Sequence, residues 1–195
     1  IRARLVGSEM CIRDRNWGVF CEKPLGVDND DSENLTAEIN ATNVAQAINF
    51  VFSGAPSAHE AKKQIDAGLI GDLLGAELIL KFSAWPRGWQ AGAAWLNEQS
   101  QGGMIREVGS HFAYLTKLLI GQPEVTQRPI IEYPASGQAE TSVMGVWNAG
   151  ECRVSVNARV GGVRRDIVRY RLLGTKASMV LEDWYNCLLY TSDAA

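Results

Sequence analysis

The sequence predicts an α/β chain in two parts. The first is the C-terminal part of a doubly wound parallel sheet, and the second is an α+β domain with a mostly antiparallel open sheet. Three observations point there. Val19-Phe20-Cys21 is a short apolar run, the mark of a buried parallel strand, and it stops at Glu22-Lys23-Pro24. Gly54-Ala55-Pro56 breaks the chain between the two parts. Beyond Val125 the pattern turns to short alternating runs separated by glycine turns.

Each element follows from local chemistry. Asn16-Trp17-Gly18 reads as a turn leading into the first strand. Pro24 has no N–H and pushes Lys23 out of helical geometry, so the strand ends there. In a doubly wound sheet ligands lie beyond the carboxyl ends of the strands, which puts Glu22 and Lys23 where a ligand would be met. Asp28-Asn29-Asp30-Asp31-Ser32 offers helix caps and acids that suit a helix start, and Leu35 and Ile39 mark a helix to about Asn40. Ala47, Ile48, Phe50, Val51 and Phe52 predict a second parallel strand over 44–52.

After the break, Ser57 or Ala58 starts a helix over 59–67 with Ala61, Ile65 and later Leu69 on one face, and Gly68 suits its C-terminal cap. Ala76, Leu78, Leu80 and Phe82 alternate with Glu77, Ile79, Lys81 and Ser83 in a long strand over 73–85. Trp85-Pro86-Arg87-Gly88-Trp89-Gln90 and Trp95 form a loop. Gly102-Gly103 opens a helix over 104–119, where Ile105, Val108, Phe112, Leu115 and Leu119 recur at helical spacing before Gly121 and Pro123 stop it. Strands are predicted over 129–133, 141–147, 152–160, 167–173 and 177–181. Asn148-Ala149-Gly150, Gly161-Gly162 and Gly174-Thr175-Lys176 read as hairpin-type turns. Val154, Val156, Ala158 and Val160 alternate with Ser155, Asn157 and Arg159, the pattern of a half-exposed antiparallel sheet.

The composition sets bounds. A chain of 195 residues, 46% hydrophobic and 21% charged, has the makings of one good core or two small ones. A net charge of -3 gives no electrostatic reason to expect a nucleic-acid partner. No apolar run approaches the ~20 residues of a membrane helix, so no membrane partner is expected. No secretory leader pattern opens the chain.

The two ends read as foreign. Met10-Cys11-Ile12-Arg13-Asp14-Arg15 and Cys187-Leu188-Leu189-Tyr190-Thr191 can be encoded by opposite strands of one DNA sequence, as a sequencing adapter would give, with chance likeness of two short peptides as the alternative. Residues 1–15 and 186–195 are therefore set apart as non-native, and an internal fragment of a longer protein is expected between them. Of the four cysteines, Cys21 and Cys152 remain. Neither has a neighbour at metal-ligand spacing, so no metal site is expected, and they fit a reducing cytoplasm.

Glu107 and His111 lie one turn apart on the predicted helix. Two readings stand: a surface pair on an amphipathic helix, or a carboxylate orienting an imidazole that moves a proton. Lys23 is either a solvated strand-end lysine or an ammonium beside a reacting oxygen. Trp85, Arg87, Trp89 and Trp95 either floor a sugar or polyol pocket or anchor a loop, and Arg87 suits an acidic group or a phosphate. His59 reads as a cap or surface residue, and Arg164-Arg165 as a solvated tip.

Taken together, Glu22-Lys23-Pro24-Leu25 and Gly102-Gly103-Met104-Ile105-Arg106-Glu107-Val108-Gly109-Ser110-His111 resemble motifs of the Gfo/Idh/MocA family of nicotinamide-dependent oxidoreductases, which includes glucose-fructose oxidoreductase and inositol dehydrogenase. The resemblance runs over roughly residues 19–181. It implies that residues 16–55 are the C-terminal remnant of a Rossmann dinucleotide-binding domain and 56–185 a substrate and oligomerisation domain. It implies His111 as general acid/base and Glu107 as its partner, where the family usually carries Asp. It implies Lys23 near the nicotinamide and the substrate hydroxyl, with Glu22, Lys23 and Pro24 bordering an NAD or NADP cofactor. Trp85, Arg87 and Trp89 would then face a sugar or polyol substrate.

No Gly-x-Gly-x-x-Gly stretch occurs in the chain, so the pyrophosphate site is expected outside it. The fragment itself is expected to be inactive and to bind neither cofactor appreciably. The expected parent is a cytoplasmic NAD(P)-dependent dehydrogenase or reductase, passing hydride between nicotinamide and a hydroxyl or carbonyl carbon; a homo-oligomer is compatible with it. Two other readings stay open: an NAD-dependent glycosidase, and a non-catalytic nucleotide-sensing or regulatory protein on the same scaffold.

Overall fold

The computed structural model describes residues 18–26, 28–184 and 187–192. The chain divides into two compact units, with the division between Phe50 and Val51.

In the first unit, β1 (Val19–Glu22) and β2 (Gln46–Asn49) pair in parallel, Val19 opposite Gln46 and Glu22 opposite Asn49. A parallel pair cannot be closed by a tight turn and needs a crossover. The helix α1 (Asn29–Asn40) lies in that crossover. Asp28 caps it: one side-chain oxygen accepts the Asp31 N–H at 2.9 Å, and Asp30 and Asp31 put negative charge at the positive end of the helix dipole.

Two sequence expectations need correction here. The strand read over 44–52 is only four residues long. The Phe50 N–H bonds back to the Ile48 carbonyl at 3.1 Å, which turns the chain, and Val51–Ser53 form a short 3-10 turn. The apolar run therefore serves two units, with Phe52 packed in the core of the second. Nor is β1 buried: Phe20 is 72% exposed. No residue of α1 is buried, so this helix lends the unit little apolar cover.

In the second unit, α2 (Pro56–Asp66) starts at a proline, where the missing N–H is one that a helix start leaves unpaired anyway. It begins one or two residues earlier than the start at Ser57 or Ala58 that the sequence suggests, because Pro56 is its first helical residue rather than a breaker. β3 (Leu73–Phe82) follows, with Ala76, Leu78, Leu80 and Phe82 buried. A π-helical turn, Ile105–Gly109, leads into α3 (Ser110–Leu119).

The remaining strands are β4 (Pro123–Glu124), β5 (Ile130–Glu132), β6 (Ser142–Ala149), β7 (Cys152–Val160), β8 (Ile167–Gly174), β9 (Ala177–Glu182) and β10 (Cys187–Ser192). They form an eight-stranded sheet in the order β10-β9-β8-β3-β7-β6-β4, with β5 also on β6. The chain end set apart by the sequence contributes β10, antiparallel to β9 with Cys187 opposite Glu182.

The sheet is antiparallel except where β3 runs parallel to β7. This corrects one turn. Gly161 and Gly162 do reverse the chain, at φ +87 and +78, but β7 and β8 do not pair. β3 lies between them. Alternation tells which face a residue takes, not which strand lies beside it.

The core joins β3, β7 and β8 to α2 and α3. Phe112 is its hub, 5.0 Å from the Phe52 ring and 6.1 Å from Tyr170. Burying one such ring stabilises the fold by ~1.5–3 kcal/mol. A buried hydroxyl pair crosses the same layer, Thr116 Oγ1 and Tyr170 Oη at 2.9 Å. Burial pushes the Tyr170 phenol well above its ordinary range, against a smaller opposing effect of the Thr116 hydrogen bond.

Candidate active site

Glu22, Lys23 and Pro24 stand at the carboxyl end of β1. The two parallel strands end level, and Glu22 Oε1 accepts from Asn49 Nδ2 at 2.7 Å. Each strand's last side chain thus holds the other. Lys23 follows as a half-buried residue, and the Lys23–Pro24 peptide is cis. Glu22, Lys23 and Pro24 belong to the first unit, and the other sequence-predicted residues to the second.

In the second unit the helix carrying Glu107 and His111 is set by two glycines. A Cβ on Gly102 would lie 2.3 Å from the Leu96 carbonyl oxygen, and one on Gly103 would lie 2.2 Å from Glu140 Oε2. Gly103 also has φ +96, which a side chain resists. The space they leave lets Glu140 Oε1 accept the Ile105 N–H at 2.8 Å, satisfying a donor at the start of the π-helical turn. The Glu107 N–H bonds the Gly103 carbonyl at 3.0 Å. π-Helical turns recur at functional sites, and this one holds Glu107.

His111 is 7% exposed, so the sequence's surface-pair reading does not describe it. Its ring meets Trp184 edge to face at 6.1 Å between centroids. Trp184 also packs on Phe112 at 5.8 Å, and Arg87's guanidinium carbon lies 5.7 Å from its ring.

Arg87 lies among aromatic faces. Its guanidinium carbon is 4.7 Å from the Trp89 ring, 5.4 Å from Phe82 and 5.7 Å from Trp85. Such contacts contribute ~0.5–2 kcal/mol each, more as the cation is desolvated. Burial pushes the guanidinium below its ordinary value, and the carboxylates of Glu107 and Asp166 act in the opposite sense. Gln90 links the group: its side chain meets Arg87 Nε at 2.9 Å and Glu107 Oε1 at 3.4 Å. The Trp85 indole N–H bonds the Leu96 carbonyl at 3.0 Å, so Trp85 ties its own loop down. Trp89, 77% exposed, keeps an open face.

The structure thus brings Arg87, Trp85, Trp89, Glu107 and His111 into one neighbourhood. The sequence missed three members. Trp184 follows β9 with Asp183, both at positive φ (+69 and +47), and no turn signature in the sequence marks that geometry. Gln90 and Asp166 are single polar residues in loops, and only the fold places them near Arg87. Among the described residues no group of three or more His, Cys, Asp or Glu stands ready to hold a metal ion. None of their helices is long and apolar enough to cross a membrane.

No protein-family model matches the sequence, and no curated protein matches it. Solved structures do match the fold. One is an inositol dehydrogenase homolog from Azotobacter vinelandii complexed with NAD+, at TM-score 0.75 and 18% identity, covering 94% of this chain and 50% of that one. Another is the WlbA dehydrogenase from Bordetella pertussis in complex with NADH and UDP-GlcNAcA, at TM-score 0.73 and 15% identity, covering 90% and 55%. A third is a levoglucosan dehydrogenase in complex with NADH and levoglucosan, at TM-score 0.75 and 19% identity, covering 90% and 50%. At these identities the likeness establishes the α/β fold. The chain spans about half the length of the structures it matches.

Proposed function

We propose that the chain is part of an NAD(P)-dependent oxidoreductase of the Gfo/Idh/MocA type, acting on a hydroxyl or carbonyl carbon of a sugar, polyol or similar small molecule. The observation that carries this is the fold match to dehydrogenases solved with NAD+ or NADH, over 90–94% of the chain. The level carboxyl ends of β1 and β2 suit the nicotinamide end of such a cofactor, since ligands of doubly wound sheets bind there. The chain has no glycine-rich phosphate turn, so the pyrophosphate would be held elsewhere in the parent.

The bound cofactor supplies the hydride acceptor or donor. In the oxidative direction His111 takes the hydroxyl proton, and Glu107 supports the imidazolium that results. Lys23, at the carboxyl end of β1, offers an ammonium to the nicotinamide end of the cofactor. Trp89 offers an exposed aromatic face to the C–H side of a ring, and Trp85 and Arg87 hold the loop beneath it. Glu22 keeps the end of β1 in place through Asn49.

The test is to recover the complete gene and screen sugars and polyols with both NAD+ and NADP+. Substrate-dependent reduction of either cofactor is expected. A complete protein that binds the cofactor yet turns over none of the panel would favour the non-catalytic reading.

A further inference from the structure

The chemistry of Gln90 fixes its own orientation. The residue is 5% exposed, and one end of its amide meets two donors of Arg87, the backbone N–H at 3.3 Å and Nε–H at 2.9 Å. Only a carbonyl oxygen accepts, so that end is Oε1 and the other is the NH2. An NH2 only donates, and it faces Glu107 Oε1 at 3.4 Å. The bonds therefore run one way, from Arg87 to Gln90 to Glu107, with Glu107 accepting. Arg87 is itself held among the rings of Phe82, Trp85, Trp89 and Trp184. Glu107 and Asp166 both act on its charge. Matched from within the chain, Arg87 is suited to hold Gln90 rather than to receive an anion.

We propose that Gln90, fixed by the caged Arg87, is a positioning residue that sets the Glu107 carboxylate relative to His111. The proposal rests on the reading of Glu107 and His111 as an acid–base pair. Glutamate has one more rotatable bond than aspartate, so one orientation costs it more entropy unless a second group holds it. Gln90 reaches Glu107 from the 88–90 turn, outside the helix that carries both site residues, and supplies that hold.

The test uses the whole chain. It contains two histidines, His59 and His111, so the ring signals of His111 can be followed by NMR against pH. The native chain, Gln90→Met, Glu107→Gln and the double variant form a cycle, with Arg87 and Asp166 unchanged. Gln90→Met is near-isosteric and uncharged, so it adds no field of its own. It is expected to move the His111 midpoint by about half a unit or more, and to move it by much less once Glu107 is Gln. A movement of equal size in both backgrounds, or in neither, overturns the proposal. Should Gln90→Met unfold, Arg87→Lys keeps the charge, loses the Nε–H and is expected to give the same coupling. Absence of coupling there also overturns it. No cofactor enters this measurement, so a failed cycle beside intact hydride transfer in the complete protein would remove this inference alone.

Discussion

Gly103 lies directly under the Glu140 carboxylate, so close that a Cβ would sit 2.2 Å from Oε2. The same carboxylate accepts the Ile105 N–H. The glycine and the acid therefore share one task, starting the helical segment that carries Glu107 and His111. Gly103→Ala must push Glu140 away and adopt φ +96, and we expect it to destabilise the chain by ~1–3 kcal/mol in thermal or urea unfolding. Glu140→Gln keeps an acceptor and should cost less than Glu140→Ala. Equal losses for the two Glu140 variants would show that the bond to Ile105 does not matter.

Thr116 and Tyr170 share a buried hydroxyl pair. Thr116→Val strands the phenol without its partner, which should cost ~1–3 kcal/mol. Adding Tyr170→Phe removes the stranded group and should recover part of that loss. Strictly additive losses in the double variant would contradict the pairing.

The same tyrosine sets an alkaline limit. Burial raises its folded pKa, so the folded state keeps the proton while an unfolded chain gives it up near pH ~10. The stability held by the neutral phenol is therefore fully present below that pH and lost progressively above it, up to the higher pH at which the folded state gives up its proton. Urea midpoints measured from pH 8 to 11 should fall more steeply for the native chain than for Tyr170→Phe. Parallel falls would refute the assignment.

The absent glycine-rich turn gives a binding prediction. Titrating the 195-residue chain with NADH, followed by fluorescence, should give no saturation in the micromolar range. Micromolar binding would mean that the groups beyond β1 and β2 hold the cofactor without a phosphate site.

Much of the fold was legible because it rests on short-range pattern. The alternation of β7 told its faces correctly: Val154, Val156 and Ala158 are buried, Ser155 and Asn157 exposed. Pattern does not report partners, so the insertion of β3 between β7 and β8 was invisible. An apolar run likewise cannot show that Ile48 and Phe52 serve different units. In the candidate site, the Gly102-Gly103 turn and the His111 helix were readable as motif. Gln90 and Trp184 were not, since each acquires meaning only from a neighbour distant in sequence, Glu107 and Arg87 respectively.

On the proposed reading, an imidazole from α3 moves the proton when hydride is transferred. The direct measurement is the rate of cofactor reduction by the complete protein, native and His111→Ala, on a substrate found by the screen. We predict a fall in kcat/KM of ~10²–10⁴-fold for the variant, with cofactor binding retained. An unchanged rate would contradict the catalytic assignment of His111 and, with it, the proposed acid–base pair.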